Sequence, residues 1–265
     1  MLANFHTHST FCDGKNTVEE VALAAIEKGF CAIGFSGHGY MSVSDYCMQD
    51  TEGYIAEVLR VKEKYKDRIQ IYLGIEEESF QLVDRSRFDY IIGSSHKLFV
   101  NGRYYDVDHY YELLLECMKQ YQNDPMLLAE TYYREFCDYI LRRKPDIVGH
   151  FDLITKFEES NEPLFFGNED YYRLAERYMG EALKSECVFE VNTGAISRGY
   201  RNTPYPDERL LHFMKKHDAK LILTSDSHSA DTLDCNFAQT QRFLSDIGFT
   251  HLYTIYNNEW IKYEI

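Results

Sequence analysis

Seven short apolar runs recur along the chain, at residues 2–6 (LANFH), 31–36 (CAIGFS), 69–74 (IQIYLG), 88–93 (FDYIIG), 146–149 (DIVG), 187–192 (CVFEVN) and 220–225 (KLILTS). Most of the gaps between them carry apolar residues at helical spacing, over 17–28, 52–66, 108–121, 127–143, 168–184, 207–217 and 235–247. Strands joined through helices are the unit of a parallel sheet, because parallel neighbours need a long crossover connection. Thr17 followed by Glu20 reads as a capping box at the start of the first helix. The last stretch alternates apolar and polar residues around Asn257-Asn258 and reads as a terminal strand or hairpin. No Gly/Ser linker, repeat or low-complexity tract divides the chain. One barrel-like domain over residues 1–265 is therefore expected, with a doubly wound open sheet as the alternative.

In a parallel α/β fold the active site lies at the carboxyl ends of the strands, so the residues that follow each run carry the functional signal. The first run ends in His6 and His8, two apart, a spacing that puts both imidazoles on one side of a strand; Asp13 follows in the next loop. The second runs into SGH (His38), the third into GIE (Glu76), the fourth into GSSH (His96), the fifth into GH (His150) and the seventh into SDSH (Asp226, His228). Only the sixth brings no such group. Six of the ten histidines thus fall on one rim. Any one of them alone would pass for an ordinary loop histidine, but independent placement does not gather six.

Imidazoles with a minority of carboxylates and no paired cysteines suit zinc, iron or manganese better than calcium or magnesium. Nine candidate ligands exceed what one ion holds at about four each, so two or three divalent transition metals are implied. Sites of that kind activate water near neutral pH and clamp the oxygens of an in-line displacement, which makes hydrolysis the expected reaction. No GxxxxGK[ST] loop and no GxSxG elbow is present to suggest nucleotide-driven chemistry or a serine nucleophile.

The chain has a formal charge of −15, from 43 acidic and 28 basic residues. A surface that tracks phosphates needs clustered Lys and Arg, so neither nucleic acid nor an anionic membrane is expected as a partner. No run approaches the roughly 18 apolar residues needed to span a bilayer. The seven cysteines form no CxxC pair and the first residues carry no signal-peptide pattern, which points to a reduced, cytoplasmic protein. Oligomeric state is left open.

Taken in order, HTHSTFCDG, SGH, GIE, GSSH, VGHFD and TSDSH resemble the motifs of the PHP (polymerase and histidinol phosphatase) family over nearly the whole chain. The resemblance implies a distorted seven-stranded (β/α) TIM-like barrel with a trinuclear metal site at the C-terminal rim of its strands. It implies one metal on His6, His8, Glu76 and Asp226, a second on Glu76, His96 and His150, and a third on Asp13, His38 and His228. Length, the YYELLLECM segment and PDIVGHFDLITKF are most similar to the branch that hydrolyses L-histidinol phosphate to L-histidinol and phosphate in histidine biosynthesis.

That branch binds substrate through the segment after the sixth run, EVNTGAISRGYRNTPYPD, which contains Asn192, Arg198 and Arg201. An arginine near the metals would grip phosphate by charge-assisted hydrogen bonds, and Arg198 is the first candidate, Arg201 the second. Both also read as loop arginines that steady a long connection. Lys97, next to His96, either reaches substrate or lies in solvent. Of the extra carboxylates after Glu76, strand alternation lets only Glu78 share its side, while Glu77 must face away. Two other functions remain: a phosphoesterase of the same family acting on a nucleotide or phosphotyrosine, and a non-catalytic partner-binding domain, which the complete ligand set opposes.

Overall fold

The computed structural model describes residues 1–265. Its elements run β1 (Ala3–Asn4), α1 (Val18–Glu27), β2 (Ala32–Phe35), α2 (Thr51–Lys64), β3 (Gln70–Glu78), β4 (Tyr90–Ser94), β5 (Lys97–Val100), β6 (Arg103–Asp106) and α3 (Tyr111–Lys119). They continue with α4 (Pro125–Arg143), β7 (Ile147–Val148), α5 (Glu169–Ala182), β8 (Val188–Asn192), α6 (Gly194–Ser197), α7 (Glu208–Lys216), β9 (Lys220–Thr224), α8 (Phe237–Ile247), β10 (His251–Tyr256) and β11 (Glu259–Glu264). β1, β2, β3, β4, β7, β8 and β9 form one parallel sheet in chain order. A bridge between Thr7 and Ser227, just past β1 and β9, brings the first and last strands together and makes a barrel rather than an open sheet.

The caps explain where the helices begin. Thr17 and Glu20 form the expected capping box ahead of α1, each satisfying the other's free backbone N–H. Asp124 caps α4, whose first residue is Pro125, where the missing N–H is one of the donors a helix leaves unpaired anyway.

The barrel is filled by Phe5, Tyr72, Tyr90, Ile92, Ile147, Val188 and Ile222, and Ile255 of the β10–β11 hairpin packs against this layer. Asn257 and Asn258 of that hairpin's turn bond Gln70 and Tyr72 at the start of β3, so the hairpin covers the amino end of the barrel. The carboxyl end is left for the site. Tyr90 crosses the interior beside Gly34 and Gly74, where an added Cβ would lie 2.2 Å from the Tyr90 hydroxyl oxygen and from its ring, respectively.

The connection after β4 departs from the sequence reading, which has a helix from residue 108. Lys97–Asp106, to which that reading assigns no element, is an antiparallel hairpin turning at Asn101-Gly102, both in the left-handed region, and α3 begins only at Tyr111. No helix is long and apolar enough to cross a membrane.

Candidate metal centre and cavity

All nine metal-ligand candidates gather at the carboxyl ends of the barrel strands. In the first group, His6 Nε2 lies 3.3 Å from Glu76 Oε2 and 3.6 Å from Asp226 Oδ1, and His8 Nε2 lies 3.6 and 3.1 Å from the same two oxygens. Four donors around one zinc at bonds of about 2.1 Å stand about 3.4 Å apart, so this spacing is that of a coordination shell. In the second, Glu76 turns its other oxygen, Oε1, to His96 Nε2 at 3.3 Å and His150 Nε2 at 3.1 Å. In the third, Asp13 Oδ2 meets His228 Nε2 at 3.1 Å and His38 Nε2 at 3.7 Å. His8 also turns Nδ1 to Asp13 Oδ1 at 3.3 Å, and His38 turns Nδ1 to Glu76 Oε2 at 2.8 Å, which ties the three groups into one cluster.

His6 Nε2, His8 Nε2 and Glu76 Oε2 are buried and make no hydrogen bond, an arrangement that is costly unless a cation completes it. The donor set therefore fits divalent metal ions. Asp226 is held at φ 46°, a left-handed conformation that aspartate tolerates better than most residues. Gly194 makes room for it, since a Cβ there would come within 2.9 Å of the Asp226 side chain and 2.8 Å of Arg198.

Two further carboxylates orient the rings without joining the cluster. Glu190 Oε2 lies 2.9 Å from His6 Nδ1, and Glu78 Oε2 lies 2.9 Å from His96 Nδ1. Each accepts from the ring's Nδ1–H and so leaves Nε2 facing inward as the nitrogen a metal would bind. Glu78 thus sits beside Glu76 as strand alternation requires, while Glu77 faces outward to Tyr139 and Arg143 of α4. Sequence reasoning passed over Glu190 because β8 delivers nothing at its end. The signal was a lone carboxylate inside the apolar run CVFEVN.

The carboxylates shift the imidazoles strongly. Burial alone would discourage a proton on His6, but Glu190, Glu76 and Asp226 outweigh it and raise the pKa to about 10. His8 and His96 are raised likewise, against the same burial, by neighbours that include Asp13 and Asp226 for His8 and Glu76 and Glu78 for His96. Burial and the charge of His8 push His228 the other way, to about 4. Burial also opposes ionisation of Asp226, yet Arg198 and His6 hold it well below the usual carboxylate range.

Above the cluster opens a cavity of about 290 Å³, lined by Asp13, His38, His96, His150, Asp226 and His228 and by Tyr46, Asp108, His109, Tyr110, Lys156, Arg198 and Tyr200. Arg198 is the one substrate-binding candidate on this wall. Its guanidinium donates to Asp226 Oδ2 at 2.9 Å and to the Asp226 carbonyl at 3.0 Å. The other three stand elsewhere. Arg201 is buried behind the wall, bonded to Thr155 Oγ1 at 2.8 Å and close to Asp152 and Glu159. Asn192 is spent on the Gly194 N–H and on Glu190. Lys97 is drawn to Asp106, its cross-strand partner in the unforeseen hairpin, and is neither exposed nor on the cavity wall. Lys156 and Asp108, which line the cavity, carry no site signal of their own in the sequence: Asp108 reads as the first residue of a helix, and Lys156 lies inside PDIVGHFDLITKF.

A family model described as the PHP domain matches residues 4–194. The chain belongs to the PHP family. A relative from Schizosaccharomyces pombe named "Probable histidinol-phosphatase" is 30% identical over 276 residues, covering 95% of this chain and 89% of its own. A solved structure from Listeria monocytogenes superposes with a TM-score of 0.77 at 20% identity, over 90% of this chain and 99% of its own. Histidinol phosphate phosphatase from Lactococcus lactis, solved in complex with zinc, L-histidinol and phosphate, superposes with a TM-score of 0.68 at 19% identity over 98% of both chains. These likenesses show that the PHP barrel is shared, and the parallel seven-stranded topology found here agrees with it.

Proposed function

We propose that residues 1–265 form one PHP barrel that hydrolyses L-histidinol phosphate to L-histidinol and inorganic phosphate, using zinc held by His6, His8, Asp13, His38, Glu76, His96, His150, Asp226 and His228. The observation that carries the reading is the set of buried, unsatisfied imidazole and carboxylate atoms converging on the floor of a cavity whose wall bears two cations. The names of the relatives supply the substrate. Bound metal ions provide Lewis acidity toward the phosphoryl oxygens and make water nucleophilic near neutral pH.

The chain's own residues do the rest. Asp226 fixes Arg198 so that its guanidinium grips a phosphoryl oxygen, and Lys156 adds a second positive charge to the same wall. Glu190 and Glu78 hold His6 and His96 in the tautomer that presents Nε2. A small phosphate monoester fits a cavity of this size, whereas a polynucleotide would meet a chain of charge −15. All seven cysteines are free thiols, in keeping with a reducing cytoplasm.

The test is phosphate release by the zinc-loaded protein from L-histidinol phosphate, an aryl phosphate and a nucleoside monophosphate, each with and without chelator. Strong preference for L-histidinol phosphate, lost on chelation, is the expected result. Equal slow turnover of all three would leave a PHP phosphoesterase with another substrate, and no turnover at all would favour a non-catalytic domain.

A further inference from the structure

Three carboxylates line the cavity, and two of them are committed. Asp13 lies against His8, His38 and His228, and Asp226 against His6, His8 and Arg198. Asp108 belongs to no group of converging metal donors. It stands in the turn between β6 and α3, with its side chain 17% exposed. Its one ion-pair partner is Lys156, whose Nζ donates to the Asp108 main-chain carbonyl at 2.6 Å and only reaches the carboxylate Oδ2 at 3.4 Å, while the charges of His96, His150 and His38 also reach it. The charge is compensated, but with one long hydrogen bond the carboxylate oxygens keep most of their accepting capacity.

Cations and an uncommitted carboxylate share one wall of the cavity. Arg198 and Lys156 supply positive charge for an anion. Asp108 lies within reach of Lys156, beside an aromatic face in which Tyr46 stacks on His109 with ring centroids 5.8 Å apart and planes 11° from parallel. That stack joins the loop after β2 to the loop after β6 across the mouth. A phosphate monoester whose alcohol carries an ammonium group close to the ester would satisfy both kinds of group.

Resting on the function proposed above, we propose that Asp108 is a specificity-determining residue that binds the ammonium group of the substrate's alcohol, so that the site selects phosphate esters of amino alcohols over those of uncharged alcohols. A carboxylate accepting a charged hydrogen bond gives more discrimination than apolar contact, because an ester lacking the amine leaves the buried acceptor unpaired.

The test compares L-histidinol phosphate with its des-amino analogue, 3-(imidazol-4-yl)propyl phosphate, in the parent and in Asp108→Asn. The parent should prefer the amine ester. In D108N its kcat/KM for the amine ester should fall about 10- to 100-fold, mostly through KM, and the preference over the des-amino ester should collapse. Calorimetric binding of L-histidinol and of 3-(imidazol-4-yl)propanol should show the same loss for the amine alone. Equal losses for both esters would mean that Asp108 acts only by steadying Lys156, and an undiminished preference would remove it outright; either overturns the assignment. A parent that hydrolyses neither ester defeats the proposed function instead, and the binding of L-histidinol to parent and variant then decides Asp108 separately.

Discussion

Glu190 accepts from His6 Nδ1, the His150 N–H, Asn192 Nδ2 and Thr224 Oγ1, so one fully buried carboxylate holds two of the proposed ligands in place. Glu190→Gln keeps the volume but turns one acceptor oxygen into a donor, leaving either His6 or His150 without its partner. Zinc affinity should fall about 10- to 100-fold with the circular dichroism spectrum unchanged, measured by competition with a chromophoric chelator; parental affinity would show that His6 is oriented without it. The two arginines should separate in the same spirit. Arg198→Ala should raise KM for the phosphate ester by about tenfold or more with a smaller loss of stability than R201A, since His6 and His8 remain beside Asp226. Arg201→Ala should instead lower unfolding stability by on the order of 3 kcal/mol, because it strips the only nearby cation from Asp152, a carboxyl that burial already pushes up to about 6. Urea titration beside steady-state kinetics checks both, and a larger stability loss in R198A with a KM change in R201A would reverse the roles. The nine converging residues could be named from sequence because each lies at the carboxyl end of a strand or in the loop that follows it. Arg198 and Arg201 could not be told apart there: both lie in one loop, and only packing sends one to the wall and the other behind it.

At the scale of elements, the seven barrel strands were readable because each is an apolar run closed by turn chemistry. The Lys97–Asp106 hairpin was not read, although Asn101-Gly102 is a strong hairpin-turn signal, because its two strands, KLFV and RYYD, are only four residues each and lack the apolar run of the barrel strands. That hairpin accounts for the misplacement of Lys97. How closely the strands approach is invisible in a linear pattern, and it turns on one aromatic. Tyr90 donates from its hydroxyl to the Phe5 carbonyl at 2.6 Å while lying flat over Gly74. A methyl at residue 74 would sit 2.2 Å from the ring, inside any tolerable contact, so the ring must move and the bond to Phe5 with it. Gly74→Ala is therefore expected to cost about 1–3 kcal/mol of stability, read as a lower urea midpoint at unchanged slope. An unaltered midpoint would mean that the interior layer has slack that this packing does not show.

For the molecule as a whole, the decisive quantity is the charge buried at one end of the barrel. Asp226, Glu76, Glu78 and Glu190 are all buried there with Asp13 beside them, in a chain already at −15. Without metal, protons on the imidazoles are the only mobile countercharge. That is why His6 is raised from 6.5 to about 10, with His8 and His96 raised alongside. A histidine whose folded pKa exceeds its unfolded one stabilises the fold fully below the unfolded value and loses that contribution as pH rises through the folded value. Metal-free protein should thus be folded but inactive near pH 7, and its melting temperature should fall steadily between about pH 6.5 and 10. His228, held at about 4, adds nothing in that window. Zinc replaces the protons, so the loaded protein should show little slope over the same range. Loading at pH 7 should then release protons, measurable by titrating zinc calorimetrically in two buffers of different ionisation enthalpy. Identical pH slopes for the metal-free and loaded forms, with no proton release, would mean that the converging imidazoles are neutral before metal arrives and that the barrel does not rely on them for countercharge.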